Sequence, residues 1–172
     1  MTFPMYTVPA DVLLKMNKIE PHELLKAQGD LTIFDDDVGM AAFVSHQWLA
    51  KHHPDPDLRQ MRMLQQALKR LLTSESGSVP LDIMTEGSVP NAKPLPMKDF
   101  QAKPLFLWYD YFSVPQLEDR KFYAATDERD GSQQARAIHS IPAYVSRCRF
   151  FLALCPVVDC PWETKAGSPG AL

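Results

Sequence analysis

Two short segments of the chain share one design, an apolar run that ends in a cluster of polar and aromatic side chains. Residues 41–48 read Ala-Ala-Phe-Val-Ser-His-Gln-Trp, and residues 105–116 read Leu-Phe-Leu-Trp-Tyr-Asp-Tyr-Phe-Ser-Val-Pro-Gln. A continuous apolar run of about four to eight residues, closed by turn residues, is the pattern of a strand buried on both faces. Such strands belong to parallel sheets covered by helices on each side, and ligands of open parallel sheets bind just beyond the carboxyl ends of the strands. The pattern predicts one sheet edge carrying Ser45, His46, Trp48, Asp110, Ser113 and Gln116, the candidate ligand-binding residues. It names a place and no reaction.

The rest of the chain supplies the layers around those strands. Leu58, Met61, Leu64, Leu68, Leu71 and Leu72 recur at helical spacing and predict a helix over 57–72. A second helix is expected near 132–147, with Ala135, Ile138, Ile141 and Val145 on one face and Pro142 as a kink or break. Phe150–Leu154 reads as a third buried strand. Residues 8–28 hold two short helical signals stopped by Gly29, and 31–34 is a further strand candidate. Residues 73–104, with five prolines and little periodicity, read as a long mobile insertion. Residues 117–131 read as a charged loop.

This order predicts an α/β fold, an open and mostly parallel sheet with helices on both faces. Three core strands and one candidate fall short of the roughly five that such sheets usually have, so the sheet is expected to be incomplete. The chain divides into an N-terminal helical segment and first strand at 1–40, an α/β domain at 41–158, and a disordered polar tail at 159–172.

Composition excludes several partners. The net charge of -3 provides no basic face for nucleic acid. The first five residues lack a secretory signal, and the longest apolar tract, 150–158, holds Pro156 and is far short of the ~20 residues that span a membrane. No membrane association and a cytoplasmic location are therefore expected. Cys148, Cys155 and Cys160 are odd in number and form no C-x-x-C pair, which suits reduced thiols, the first two half-buried.

Several chemical constellations can be drawn on paper. His46, His52, His53, Asp55 and Asp57 crowd together as metal-ligand types, but they share no helix register and no motif spacing. A Ser/His/Asp set could be assembled from Ser45 or Ser113, His46 or His139, and Asp110, yet no G-x-S-x-G elbow is present. Cys155 lacks a basic neighbour to activate it. No glycine-rich phosphate loop follows the first strand. Asp110 is the most informative residue, because a carboxylate at the end of a buried strand must be solvated, paired or functional. It either caps the loop near Ser113 and Val114 or contacts a ligand. Trp48 could stack on a base or sugar, whereas Trp108 lies inside the strand and reads as core.

These residues resemble the signature of the heterokaryon-incompatibility (HET) domain, a relative of the Toll/interleukin-receptor (TIR) fold. Ser45 and Trp48 match its first motif. Leu107-Trp108-Tyr109-Asp110, with Gln116 six residues after the aspartate, is similar to its second. Gln134, Ile138 and Ile141 are similar to its third, with Pro142 standing where that pattern has tyrosine. The resemblance spans about residues 41–155.

It implies a flavodoxin/TIR-like sheet and an intracellular signalling module that acts by self-association or with related TIR/HET-like domains. Some TIR relatives cleave the glycosidic bond of NAD with a glutamate in a Trp-Cys-x-x-Glu setting. Here the order is Cys160-Pro161-Trp162-Glu163, so Glu163 does not match and no catalytic residue is assigned. NAD remains a candidate ligand, with no other cofactor expected. The favoured reading is a module without catalysis. Its alternatives are an NAD or nucleotide glycosidic-bond hydrolase and, more weakly, a metal-dependent hydrolase. The Phe150–Leu154 strand carries neither charge nor proline, and as a sheet edge it would self-associate.

Overall fold

Alternation within the apolar runs decides where everything else packs. Leu105, Leu107 and Tyr109 turn to one face of the sheet together with Ala42 and Val44. Phe106 and Trp108 turn to the other with Ala41 and Phe43. Both faces are apolar, so both need cover. The computed structural model describes residues 1–51, 53–116 and 132–155.

In chain order the elements begin with β1 (Tyr6–Pro9), α1 (Ala10–Leu13), α2 (His22–Gln28), β2 (Thr32–Ile33), β3 (Met40–Ser45) and α3 (Arg59–Thr73). A small hairpin of β4 (Ser78–Val79) and β5 (Leu95–Pro96) then encloses α4 (Ile83–Ser88). After it come α5 (Lys98–Gln101), β6 (Leu105–Tyr109), α6 (Asp110–Ser113), α7 (Gln133–His139), α8 (Ile141–Arg147) and β7 (Phe150–Ala153). The main sheet runs β2-β1-β6-β3-β7.

β3 is parallel to both β6 and β7, as the apolar runs predict. The sheet as a whole is mixed rather than mostly parallel, because β1 lies antiparallel to both β6 and β2. This corrects the expected topology. The described residues supply five strands to the sheet, where sequence reading counts three and a candidate fourth. β1 escapes notice because it is four residues long and ends in Pro9. Proline has no N–H for a ladder and reads as the lead-in to a helix.

One face is covered by α1, α2, α3, α5 and α6. Met61, Leu64 and Leu68 of α3 are buried at the predicted spacing, beside Leu13, Leu25, Phe100 and Phe112. Burying each such side chain contributes roughly 1.5–3 kcal/mol relative to leaving it exposed. Two glutamines close the helix ends on this side. Gln65 donates from Nε2 to Leu13 O at 2.9 Å and to Met16 O at 2.8 Å. Gln101 does the same for Leu71 O and Ser74 O, both at 2.8 Å. Carbonyls at helix C-termini lack partners within the helix, and these side-chain amides supply donors for them.

The second face is covered by α7, α8 and the first residues of the chain. Pro142 sits in the first turn of α8, where its missing N–H costs nothing, and the helix breaks before it at Ser140. The break resets the register: Ala137 and Tyr144 are buried, whereas Ile138 and Val145 are exposed. The Tyr144 hydroxyl donates to Phe3 O at 3.0 Å and Arg136 Nη2 donates to Thr2 O at 2.8 Å, strapping the N-terminus to this layer. β3 meets β6 through Gly39, where a Cβ would stand 2.3 Å from Pro104 O. Any side chain there would force the two strands apart.

The insertion divides into two parts. Ile83, Met84, Val89 and Leu95 are exposed, as an unpacked segment requires. Phe100, however, is buried and stacks on Phe150 with ring centroids 4.0 Å apart. Phe100 of α5 therefore belongs to the core, although residues 101–104 after it are exposed. Cys148 is partly buried and packs beside the second face, and burial pushes its thiol up to about 12. Cys155 is exposed rather than half-buried. Among the described residues no helix is long and apolar enough to cross a membrane. Residues 117–131 and the 159–172 tail, with Cys160 and Glu163, lie outside the described residues.

Candidate site at the strand ends

Because β3 and β6 are parallel and in register from Met40↔Leu105 to Val44↔Tyr109, the residues that follow them emerge side by side. Asp110 is where they meet. His46 Nε2 donates to Asp110 Oδ1 at 2.7 Å, and Trp48 Nε1 donates to Asp110 Oδ2 at 2.9 Å. A carboxylate only accepts, so the proton of this His46 pair sits on Nε2. Three of the six candidate residues are thus brought together by a single carboxylate.

The aromatic rings fix the arrangement further. His46 lies flat on Tyr109, with centroids 3.9 Å apart and planes 6° apart, and Tyr109 stacks in turn on Phe112 at 5.0 Å. The His46 side chain is 2% exposed. Trp48 is 41% exposed and meets Tyr111 edge-on at 5.7 Å. Burial works to raise the Asp110 carboxyl, but the His46 hydrogen bond and charge, the Trp48 N–H and the Tyr111 N–H outweigh it. The net effect holds the carboxyl below the ordinary carboxylate range. Burial, and then the charges of Asp110 and Asp55, push the Tyr109 phenol upward. Its hydroxyl is buried without a hydrogen-bond partner among the described residues.

None of the other three candidates hydrogen-bonds to the Asp110 carboxylate, although Gln116 Nε2 lies 3.5 Å from the Asp110 main-chain oxygen. By strand alternation Ser45 falls on the face of Ala41 and Phe43, and its carbonyl accepts from Leu154 N at 2.8 Å. Ser113 is buried, and its hydroxyl accepts from the Tyr109 N–H at 3.1 Å. It closes the turn after β6 rather than facing a ligand. Gln116 donates from Nε2 to Val114 O at 2.9 Å, and its N–H donates to Glu23 Oε1 at 2.8 Å. Asp110 is not the cap of the Ser113–Val114 turn either. Its main-chain carbonyl accepts from Val114 N–H at 2.9 Å, leaving the side chain for the loop after β3.

That loop is held by residues whose roles the sequence reading does not assign. Asp55 is fully buried and accepts from Arg59 N–H at 2.9 Å and Met61 N–H at 2.8 Å, which caps α3. Leu58, next to the helix, has a left-handed φ of 58° and no side chain able to cap. A signal was present, since aspartate just before a periodic apolar stretch marks a helix start. Gln60, also fully buried, donates from Nε2 to Gln47 O at 2.7 Å. His53 Nε2 donates to Ile19 O at 3.2 Å, and its Nδ1 accepts from Asp55 N–H at 3.1 Å.

Both nitrogens of His53 and both oxygens of Asp55 are thereby engaged in shaping the loop. Among the described residues no three His, Cys, Asp or Glu side chains converge as metal ligands, and His52 lies outside the described residues. A cavity of about 500 Å³ opens at the other end of the strands, lined by Pro9, Leu72, Phe100, Pro104 and Leu105 among others. It is remote from the polar cluster. No family model, curated protein or solved structure matches the chain.

Proposed function

We propose that this chain is a TIR/HET-like interaction module that works by self-association and carries out no catalysis. A flavodoxin/TIR-like reading of the sheet is supported by the parallel β6–β3–β7 core with helices on both faces. Cys148 and Cys155, free among the described residues, suit a cytoplasmic location.

The observation that carries the functional reading is the tie made by Asp110. Each of its oxygens accepts from a donor of one loop, and the His46 ring is stacked and 2% exposed. A general base must be within reach of its substrate's proton. Here the His46 Nε2 proton faces Asp110, and Nδ1 lies 3.4 Å from the carbonyl of its own neighbour Gln47. Of the residues that match the HET motifs, Trp48 and Asp110 tie two strand ends together, which is a structural role.

Incubation with NAD tests this. The wild-type chain should release no nicotinamide above the level of an Asp110→Ala variant. Turnover that disappears in Asp110→Ala or His46→Ala, while the variant keeps its circular dichroism spectrum, would contradict the proposal and favour the glycosidic-bond hydrolase.

A further inference from the structure

β7 is the outermost strand of the sheet on its side, and no described strand pairs with its outer edge. On one face it ends a row of stacked rings. Trp108, Phe43 and Phe151 are direct cross-strand neighbours on β6, β3 and β7. Trp108 and Phe43 lie 4.4 Å apart with planes 11° apart, and Phe43 and Phe151 lie 5.3 Å apart, also at 11°. The row stops at Phe151, which is 59% exposed. Trp108 and Phe43 are buried, so the row is open only at this end.

The backbone at this edge has a definite pattern. Leu154 N–H donates to Ser45 O at 2.8 Å, and the ladder pairs Phe43 with Phe151 and Ser45 with Ala153. In a parallel ladder alternate residues turn both N–H and C=O to the same neighbour, so Phe150, Leu152 and Leu154 serve β3 while Phe151 and Ala153 present theirs outward. An edge of this kind accepts another strand unless charge, proline or a bulge opposes it. Phe150–Ala153 contains no charge and no proline.

We infer that β7 pairs antiparallel with β7 of a second copy about a two-fold axis through Phe151. This rests on the reading of the chain as a self-associating module and specifies its partner and surface. The register follows from the outward groups. If Phe151 exchanges both hydrogen bonds with Phe151 of the second copy, the two residues fall directly opposite each other. They form a hydrogen-bonded pair with Cα atoms about 5.5 Å apart, a separation that a disulfide can span. The open end of one aromatic row meets the open end of the other on the same face. A self-complementary patch of this type makes a closed two-fold dimer.

The test is disulfide trapping in the full chain with Cys148, Cys155 and Cys160 replaced by alanine. Phe151→Cys should cross-link most of the protein as a covalent dimer under mild oxidation. Ala153→Cys should remain largely monomeric, because in this register residue 153 faces Arg149 of the second copy. Cross-linking at 153 and not at 151, or at neither, would overturn the pairing. Should the cysteine-free background fail to fold, Phe151→Lys in the native chain provides the second arm. It should convert a dimer to a folded monomer, and a variant that associates as wild type does would overturn the proposal. Nicotinamide release by the same preparation would refute the module reading independently, whatever the cross-linking shows.

Discussion

His22 is the residue through which acid should reach the folded state first. It is buried at the start of α2, where Nδ1 donates to Phe112 O at 3.1 Å and the ring meets Tyr6 edge-on at 4.8 Å. Burial lowers its basicity more than the Phe112 hydrogen bond and Glu23 raise it, and Lys26 acts in the same sense as burial. Above its ordinary value of about 6.5 the imidazole is neutral in both folded and unfolded chains, and it contributes no pH dependence. Below that value the unfolded chain takes up the proton first, so stability falls with pH until the folded imidazole also titrates. His22→Asn keeps a donor for Phe112 O without this titration. Urea unfolding at neutral pH and near pH 5 should therefore show a smaller loss for the variant than for wild type. Equal losses would mean that His22 is not what couples this fold to acid. Residues of this kind are the hardest to read from a sequence. His22, Asp55 and Gln60 acquire their roles from partners that only the tertiary fold supplies, whereas Trp108 is legible as core from its place inside an apolar run.

At the scale of elements, legibility follows the strength of the local pattern. β3, β6, β7 and α3 stand where the apolar runs and the helical spacing place them. The helix near 132–147 is legible, but its buried face is not, because the break at Ser140 shifts the register between its halves. The insertion shows the opposite limit. Proline density marks 73–104 as loop-like throughout, yet Phe100 and Gln101 inside it pack against Phe150 and close the end of α3. The division predicts two different outcomes. Replacing residues 80–94 with an Asn-Gly turn, which joins Val79 to its partner Leu95, should change stability by less than ~1 kcal/mol. Phe100→Ala should cost about 3–5 kcal/mol, as large-to-small changes of buried aromatics do. Chemical denaturation of both variants checks this, and a costly excision beside a harmless Phe100→Ala would show the boundary to be misplaced.

For the whole molecule, the two ends of the parallel strands differ in character. One carries the cavity beside Pro9, Leu72 and Leu105, which Asp11 and Lys103 also line, and the other carries Asp110 with its two donors. Sequence reading locates the second end correctly, because strand ends in a parallel sheet share a level. It gathers too many residues there, since it does not anticipate that Ser113 serves a backbone N–H. What remains at that end is a clamp between two loops. On the proposed reading the molecule acts through its surface, and the sheet matters as an edge. Sedimentation velocity over a dilution series tests that claim most directly. The account predicts a reversible shift from the 19.5 kDa monomer to twice that mass as concentration rises, abolished by Phe151→Lys. A wild-type chain that unfolds cooperatively yet sediments as a monomer up to high micromolar concentration would contradict it.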